Sequence, residues 1–231
     1  EDGKVVFFCG AGISYPAKLP GFEGLVKQLY QNIGMHNYET REQQLAIKSM
    51  QFDLAIHLLE KSLENGHERV RGEIAKILGY PKTKGVAISF HKSLLALAKN
   101  KDNQYRLITT NFDRIFEKIR KRKEYQANAY IAPNLPLVDD KWNGIVYLHG
   151  LINESLEGAG QDTLIVSSGD FGLAYLIDRW ASRFMEKVFL NYSVCFIGYK
   201  LGDPLIRYMT DAITAIRSKK GTIPEVFAFC P

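Results

Sequence analysis

Short apolar runs alternate along this chain with segments whose apolar residues recur every three or four positions. Most of the runs lack strict alternation with polar residues, which is typical of strands covered on both faces. Strands separated by helices predict an α/β fold with a doubly wound, Rossmann-like and mostly parallel sheet of about six strands. The predicted strands are Val5–Cys9, Tyr105–Thr109, Gly144–Leu148, Thr163–Val166, Ser193–Gly198 and Glu225–Phe229.

The stretch between the first two predicted strands, roughly residues 23 to 103, is helical in pattern and far longer than one crossover helix requires. We therefore expect a helical insertion that packs beside the sheet and covers the ligand cleft. Two further helical patterns run from Phe171 to Val188 and from Leu205 to Ile216. The candidate helices of the insertion are Gly24–Ile33, Gln43–Glu64, Glu68–Leu78 and Ser89–Lys99.

The formal net charge of +5 is interpreted as a solvated surface. The densest basic cluster, Lys118–Lys123, follows a predicted helix start at Asn111 and suits the cation-rich end of a helix. No aromatic residues interleave with it, so direct nucleic-acid binding is not expected of this domain. No apolar run is long enough to span a membrane, and the first four residues do not resemble a signal peptide.

The three cysteines, Cys9, Cys195 and Cys230, are widely separated. Their odd number and spacing favour neither a disulfide framework nor a zinc module, which predicts a reducing, cytoplasmic location. The chain begins almost on its first predicted strand and stops on its last. We therefore expect residues 1–231 to be one domain of a longer protein.

A glycine turn, Gly10–Ser14, follows the first predicted strand. Glycine lets backbone approach a ligand closely, and ligands of open parallel sheets lie at the carboxyl ends of the strands. The N–H groups of a following helix can hold a pyrophosphate. Tyr15 occupies the position of the third glycine in the dinucleotide fingerprint. The motif alone therefore leaves two interpretations open, a phosphate site and a tight turn needed for packing.

Polar residues follow two more of the predicted strands. Asn111 and Asp113 come after the second, where an amide can position a water and a carboxylate can accept a hydrogen bond. The alternative is that Asn111 caps a helix over 112–120. His149 follows the third, where a histidine can serve as a general base or be merely structural. The other histidines are interpreted as structural or solvated: His36, His57, His67 and His91.

The strand at 193–198 ends in Gly198, which would let backbone approach an adenosine moiety. Asp203-Pro204 then has the chemistry of a helix start, so Asp203 is either a ligand contact or an N-cap. The carboxyl ends of parallel strands lie at one edge of a sheet. The sequence therefore predicts that the glycine turns, the Asn/Asp pair and the histidine converge on one cleft.

As a set, these motifs resemble the sirtuin superfamily, in the same order and over almost the whole chain. The matching segments are 10–14, 109–113, 148–150 and the turn at Gly198. More closely, the chain resembles the bacterial sirtuin-like NAD hydrolase domains of anti-phage defence systems. The segments that carry this closer resemblance are Leu19–Leu25, Ile108–Asp113 and Ile197–Ile206.

The chain also departs from the protein-deacylating sirtuins. Those enzymes carry a four-cysteine zinc module, which three scattered cysteines cannot supply. Their glycine turn is followed by an Asp-Phe-Arg segment, where this chain has Gly21-Phe22-Glu23. Ser167–Phe171 stands in place of the zinc insertion. We therefore expect no metal and no deacylase activity.

The resemblance implies that NAD binds with its pyrophosphate near the first glycine turn. It implies that Asn111 orients a water or the ribose at the nicotinamide-bearing carbon, and that His149 acts on the ribose hydroxyls. Asp113 would contact the nicotinamide carboxamide, and Phe22 would shield the departing nicotinamide. The NAD-binding residues implied in this way are Gly10, Ala11, Gly12, Ser14, Phe22, Asp113, Gly198 and Asp203.

The leading hypothesis is an NAD glycohydrolase that serves as a regulated effector of anti-phage defence, aborting infection by NAD depletion. Such an activity must stay silent until triggered, so we expect a homo-oligomer and an activating partner or fused domain. That partner would be a helicase-like ATPase, an Argonaute-type protein or a phage sensor. The alternatives are a non-catalytic sensor that binds NAD or ADP-ribose and, less favoured, an NAD-dependent deacylase.

Overall fold

The computed structural model describes residues 4–33, 40–79, 81, 84–139, 142–155, 161–199, 210–212, 214–215 and 224–229. Its strands are β1 (Val5–Cys9), β2 (Arg106–Thr109), β3 (Ala129–Ile131), β4 (Gly144–Tyr147), β5 (Ser193–Ile197) and β6 (Val226–Phe229). All pair in parallel in the order β3-β4-β2-β1-β5-β6. The predicted six-stranded, Rossmann-like α/β fold is confirmed.

One of the predicted strands is wrong. Leu164, Ile165 and Val166 are buried but belong to no strand. The Ile165 N–H donates to the His149 carbonyl at 2.9 Å, so this segment crosses the end of β4 without joining the sheet. The strand that was not predicted is β3. It has only three residues, all at least partly exposed, so it lacks the apolar run that marks the other strands.

Helices fill the chain between the strands, and the predicted helical insertion between β1 and β2 is confirmed. A 3₁₀-helix (Ala11–Ala17) follows β1, and a second (Gly85–Ile88) precedes α5. The α-helices are α1 (Phe22–Asn32), α2 (Arg41–Lys48), α3 (Phe52–Ser62), α4 (Gly66–Gly79), α5 (Ser89–Ala98), α6 (Ile115–Arg120), α7 (Ser168–Phe171) and α8 (Trp180–Asn191). A π-helical turn (Gly172–Ile177) continues α7.

Two long helical patterns are broken by residues in the left-handed region. The predicted helix 43–64 is wrong as one helix, because Met50 has φ = 57° and separates α2 from α3. The pattern from Phe171 to Val188 is divided at Arg179, with φ = 59°. Helical spacing does not reveal such a break, since the apolar positions on either side keep their period. The residues that define the pattern from Leu205 to Ile216 lie outside the described residues.

Two apolar cores cover the faces of the sheet, and this explains why the strands lack alternation. Adjacent strand residues point to opposite faces, so Leu107 and Ile145 pack with the insertion while Ile108 and Val146 pack with α8. Each such buried aliphatic side chain contributes roughly 1.5–3 kcal/mol to folding. The sheet is thereby held between two helical layers, with the carboxyl ends of its strands along one edge.

None of the helices in the described ranges is both long and apolar enough to cross a membrane.

Candidate functional site

The chain leaves β1 toward β2 on one side and returns to β5 on the other, so the strand order reverses between β1 and β5. Ligands of open α/β sheets bind at such switch points, outside the carboxyl ends of the strands. Gly10 and Gly198 follow these two strands directly. The structure therefore places both predicted glycine turns at the position where this fold forms its cleft.

The glycines at this point are required by packing between the two turns. The Gly12 N–H donates to the Gly198 carbonyl at 2.9 Å, and a Cβ on Gly12 would lie 2.9 Å from the Gly198 Cα. Gly198 has φ = 73°, and a Cβ there would lie 2.7 Å from the Ile13 nitrogen. The need for a tight turn therefore explains Gly12 and Gly198. Ala11 and Gly12 are only partly buried, at the edge of this turn.

Tyr199 lies across the start of the glycine turn. A Cβ on Gly10 would come within 2.8 Å of the Tyr199 ring, and the Tyr199 hydroxyl hydrogen-bonds to the hydroxyl of Thr110. This ring spans the ends of β1 and β2. Sequence reasoning did not single out Tyr199, because an aromatic residue after a strand carries no distinctive pattern.

Asn111 has a defined amide orientation. Its Nδ2 donates to the Gly10 carbonyl at 3.2 Å and to the Ser14 hydroxyl at 3.1 Å. A carbonyl can only accept, so the amide nitrogen must be the atom that faces Gly10. Among the described residues Oδ1 has no hydrogen-bond partner, which leaves it as an acceptor for a water or a ligand hydroxyl.

The helix that follows is capped by Asp113. The predicted alternative, in which Asn111 caps a helix over 112–120, is wrong, because α6 begins at Ile115 and the Ile115 N–H donates to Asp113 Oδ1 at 3.0 Å. The second oxygen of Asp113 accepts from the Ser14 hydroxyl at 2.8 Å. Ser14, Asn111 and Asp113 therefore form one buried hydrogen-bonded cluster around the Ser14 hydroxyl.

His91 joins this cluster from the insertion. Its Nε2 lies 3.3 Å from the Ser14 hydroxyl, and its ring packs edge-on against Phe116 at 4.8 Å. Because the Ser14 proton is directed to Asp113, Nε2 is the donor and His91 is the Nε2–H tautomer. Burial lowers the pKa of His91, and the nearby Asp113 opposes that shift in part. No sequence pattern indicates this contact, since His91 is a lone histidine on an amphipathic helix.

His149 lies outside this cluster, and its ring makes no hydrogen bond to it. The backbone turns directly after it, at Gly150, with φ = 89°. The Nε2 atom of His149 lies 2.9 Å from the hydroxyl of Tyr175, a residue of the π-helical turn. The ring packs edge-on against Phe171 at 5.1 Å. Burial in this aromatic pocket lowers the pKa of His149 to about 3. His149 is therefore neutral across the physiological range.

The remaining predicted site residues are placed as follows. Phe22 begins α1, is half-buried and packs edge-to-face on Phe52 at 6.3 Å. Asp203 lies outside the described residues.

Two surface cavities lie away from the cleft; the larger, of about 510 Å³, lies between α8 and the segment that includes Leu135 and Leu137.

The segment Ser167–Phe171 forms a capping box that is tied to the insertion. Ser167 and Asp170 cap each other's backbone at the start of α7, and Asp170 also accepts from Arg71 of α4 at 2.6 Å. Within the described ranges, no three His, Cys, Asp or Glu side chains come together as a metal site would require. This segment is held by an ion pair and backbone caps.

Comparisons with known proteins agree with the Rossmann-like fold. Residues 106–231, more than half of the chain, match the family described as SIR2-like domain. The chain is also 26% identical over 232 residues to the protein named "Uncharacterized protein y4cA" from Sinorhizobium fredii (strain NBRC 101917 / NGR234). That similarity covers 98% of this chain and 19% of the relative, so the chain spans about a fifth of the relative's length.

Proposed function

The chain belongs to the SIR2-like domain family, a membership that implies NAD binding, and from this premise we propose that it is an NAD glycohydrolase. It would cleave the bond between nicotinamide and ribose with water. The products would be nicotinamide and ADP-ribose. NAD is then a substrate that is consumed, and no second substrate is required.

The orientation of Asn111 is the observation that carries this proposal. Both donor contacts of the amide, to Gly10 and Ser14, fix the side chain at the carboxyl end of β2. Its Oδ1 is left to accept a hydrogen from a water molecule beside the nicotinamide-bearing carbon. Holding a nucleophile in a productive geometry supplies much of the acceleration of such reactions.

The reaction balances without a redox partner. The water oxygen forms a bond to the ribose C1′ as the C1′–N bond breaks, through an oxocarbenium-like transition state. The electron pair of the broken bond neutralises the pyridinium nitrogen of nicotinamide. The water proton leaves to solvent, because the lowered pKa of His149 makes its neutral ring a hydrogen-bond acceptor but a weak proton acceptor.

The other assignments follow from the placement of the residues. The turn at Ala11 and Gly12, both partly exposed, is assigned to the pyrophosphate because it lies at the switch point; the Gly12 N–H is already donated to Gly198, so Gly12 would allow close approach without donating. Asp113 is assigned to the nicotinamide carboxamide. Its oxygens already accept from Ser14 and Ile115, but a carboxylate has about four acceptor positions, so a carboxamide N–H still fits.

Burial of the cluster supports a regulated enzyme. Ser14, Asn111, Asp113 and His149 are 2%, 8%, 5% and 8% exposed, so little of each residue is open to a substrate in this conformation, and we infer an opening step. We propose that a partner, a fused domain or self-association drives this opening, and that the context is NAD depletion during anti-phage defence. The much greater length of the relative leaves room for such a domain in proteins of this kind.

The greater exposure of Ala11 and Gly12 than of Asn111 and His149 favours a second candidate, a non-catalytic sensor of NAD or ADP-ribose. A sensor needs the turn at Gly10–Ser14 but neither the Oδ1 of Asn111 nor the ring of His149. It predicts tight binding with no release of nicotinamide under any activating condition.

The test is to incubate the protein with NAD, with and without its flanking domains, in the absence of any acylated peptide. We expect nicotinamide release that Asn111→Ala abolishes, while Asn128→Ala, which removes an exposed amide bonded to the Asn143 carbonyl, leaves it unchanged. Nicotinamide release that depends on an acyl-lysine peptide would indicate a deacylase instead. NAD binding without turnover in every preparation would establish the sensor.

A further inference from the structure

The ring of His149 has one hydrogen-bond partner among the described residues, and that partner is uncharged. Nε2 lies 2.9 Å from the Tyr175 hydroxyl. Catalytic histidines are commonly held through their second nitrogen by a carboxylate or a backbone carbonyl. In this chain a phenol takes that place, and no charged group contributes to the lowered pKa of the ring, which burial alone explains.

The hydrogen bond to Tyr175 decides what the other ring nitrogen can do. A neutral imidazole has one N–H and one lone pair, on different nitrogens. If Nε2 carries the hydrogen and donates to the Tyr175 oxygen, Nδ1 is the acceptor. Nδ1 has no hydrogen-bond partner within the described residues, so it is the atom left to face a ribose hydroxyl or a water.

Tyr175 is itself held firmly in place. Its ring stacks on Phe171 at 6.0 Å, and its carbonyl accepts from the Ser182 hydroxyl at 2.9 Å. It lies in a π-helical turn, in which the Asp178 N–H donates to the Leu173 carbonyl five residues earlier at 2.9 Å. Single π-helical turns are rare and are frequent at functional sites.

The helix before this turn is fixed to the insertion. Asp170 Oδ2 accepts from Arg71 at 2.6 Å and from the Val166 and Ser167 N–H groups at 3.0 and 2.8 Å. Phe171, which packs on both His149 and Tyr175, is the next residue. The position of the Tyr175 hydroxyl is thus set by part-buried contacts on both sides of it.

We propose that Tyr175 is a positioning residue for His149, whose hydroxyl accepts from Nε2, selects the Nε2–H tautomer and leaves Nδ1 toward the substrate. The part of this proposal that concerns substrate rests on the proposed NAD hydrolysis. The tautomer and its dependence on Tyr175 do not.

The test is nitrogen NMR of the ¹⁵N-labelled chain, with His149→Gln identifying the His149 signals. We expect one tautomer in the unaltered chain, with the hydrogen on Nε2. Tyr175→Phe keeps the stacked ring but removes the hydroxyl, so His149 should become a mixture of tautomers. NAD hydrolysis should fall about tenfold, the effect of losing one positioning hydrogen bond. The control is Tyr30→Phe, which removes another buried tyrosine hydroxyl bond, to the Ala55 carbonyl at 2.9 Å.

Hydrogen on Nδ1, or a mixture of tautomers, in the unaltered chain would overturn the proposal, and so would an unchanged His149 spectrum in Tyr175→Phe. Should that variant fail to fold, hydrogen on Nδ1 in the unaltered chain would still overturn the proposal. If the tautomer responds as expected but no preparation releases nicotinamide, the proposed hydrolysis is wrong and the positioning role stands.

Discussion

Arg71 of the insertion donates to Asp170, 99 residues later in the chain, across 2.6 Å. Arg71 is fully buried and also pairs with Glu60, whose pKa is raised by burial. The insertion between β1 and β2 is therefore fastened to α7 by a buried ion cluster.

Removing this arginine should destabilise the fold strongly. Arg71→Met leaves the carboxylates of Glu60 and Asp170 without their cation, and breaking a buried pair in this way costs about 3–5 kcal/mol. Urea unfolding measures the loss. The matched control is Lys27→Met, which breaks the exposed pair with Glu23 and should cost under about 0.5 kcal/mol. Equal stability of the two variants would contradict the conclusion that Arg71 fastens the insertion to α7.

The Ser14 hydroxyl connects three side chains from distant parts of the chain. Ser14→Ala would leave Asp113 Oδ2 and His91 Nε2 without a buried partner, and Asn111 Nδ2 with the Gly10 carbonyl alone. We expect a loss of about 1–3 kcal/mol in the free energy of unfolding and loss of NAD hydrolysis.

Ser62→Ala is the control for this variant, since the Ser62 hydroxyl is bonded to Gln43 and the Leu59 carbonyl away from the cleft. It should leave hydrolysis unchanged. Retention of full activity by Ser14→Ala would show that the cluster is structural only.

Two buried histidines should make the protein less stable in mild acid. Burial lowers the pKa of His149 to about 3 and also lowers that of His91. An unfolded histidine has a pKa of about 6.5, so below that pH the unfolded chain takes up protons that the folded chain does not. The free energy of unfolding therefore falls as pH falls, by up to about 1.4 kcal/mol per pH unit for each histidine.

Urea unfolding between about pH 6.5 and 5, above the range where most carboxylates titrate, measures this slope. His149→Gln should reduce it, because one of the two groups is gone. Ser62→Ala, which removes no ionisable group, should leave it unchanged. A flat profile in the unaltered chain would mean that both rings reach solvent when protonated.

The turn at Gly198 should not tolerate a side chain. Gly198→Ala combines φ = 73° with a Cβ 2.7 Å from the Ile13 nitrogen, so we expect a loss of about 2–4 kcal/mol in unfolding free energy. Gly172→Ala is the comparison, because a Cβ there meets nothing within 4 Å. That variant should be neutral or up to about 1 kcal/mol more stable, since alanine favours helix over glycine. Equal effects at the two positions would refute the packing role of Gly198.

The apolar pattern of the chain by itself determined the class of fold, five of the six strands and the helical insertion. These features follow from local periodicity and from burial on both faces, as at Leu107 and Ile108, which a sequence displays directly. The same pattern placed Asn111 and His149 at strand ends on the correct edge of the sheet. It could not show that Asp113, rather than Asn111, caps α6, because both residue types suit a cap.

Only the tertiary structure decided which side chains meet. The contact between His91 and Ser14 spans 77 residues, and that between His149 and Tyr175 joins a strand end to a π-helical turn. Neither contact has a periodic signature, because each depends on how the insertion and α7 pack on the sheet. Arg179 and Met50, which break two helices, likewise adopt left-handed conformations that side-chain spacing does not reveal. Local patterns specify elements, whereas the partner of a buried polar group is fixed only when distant segments exclude water together.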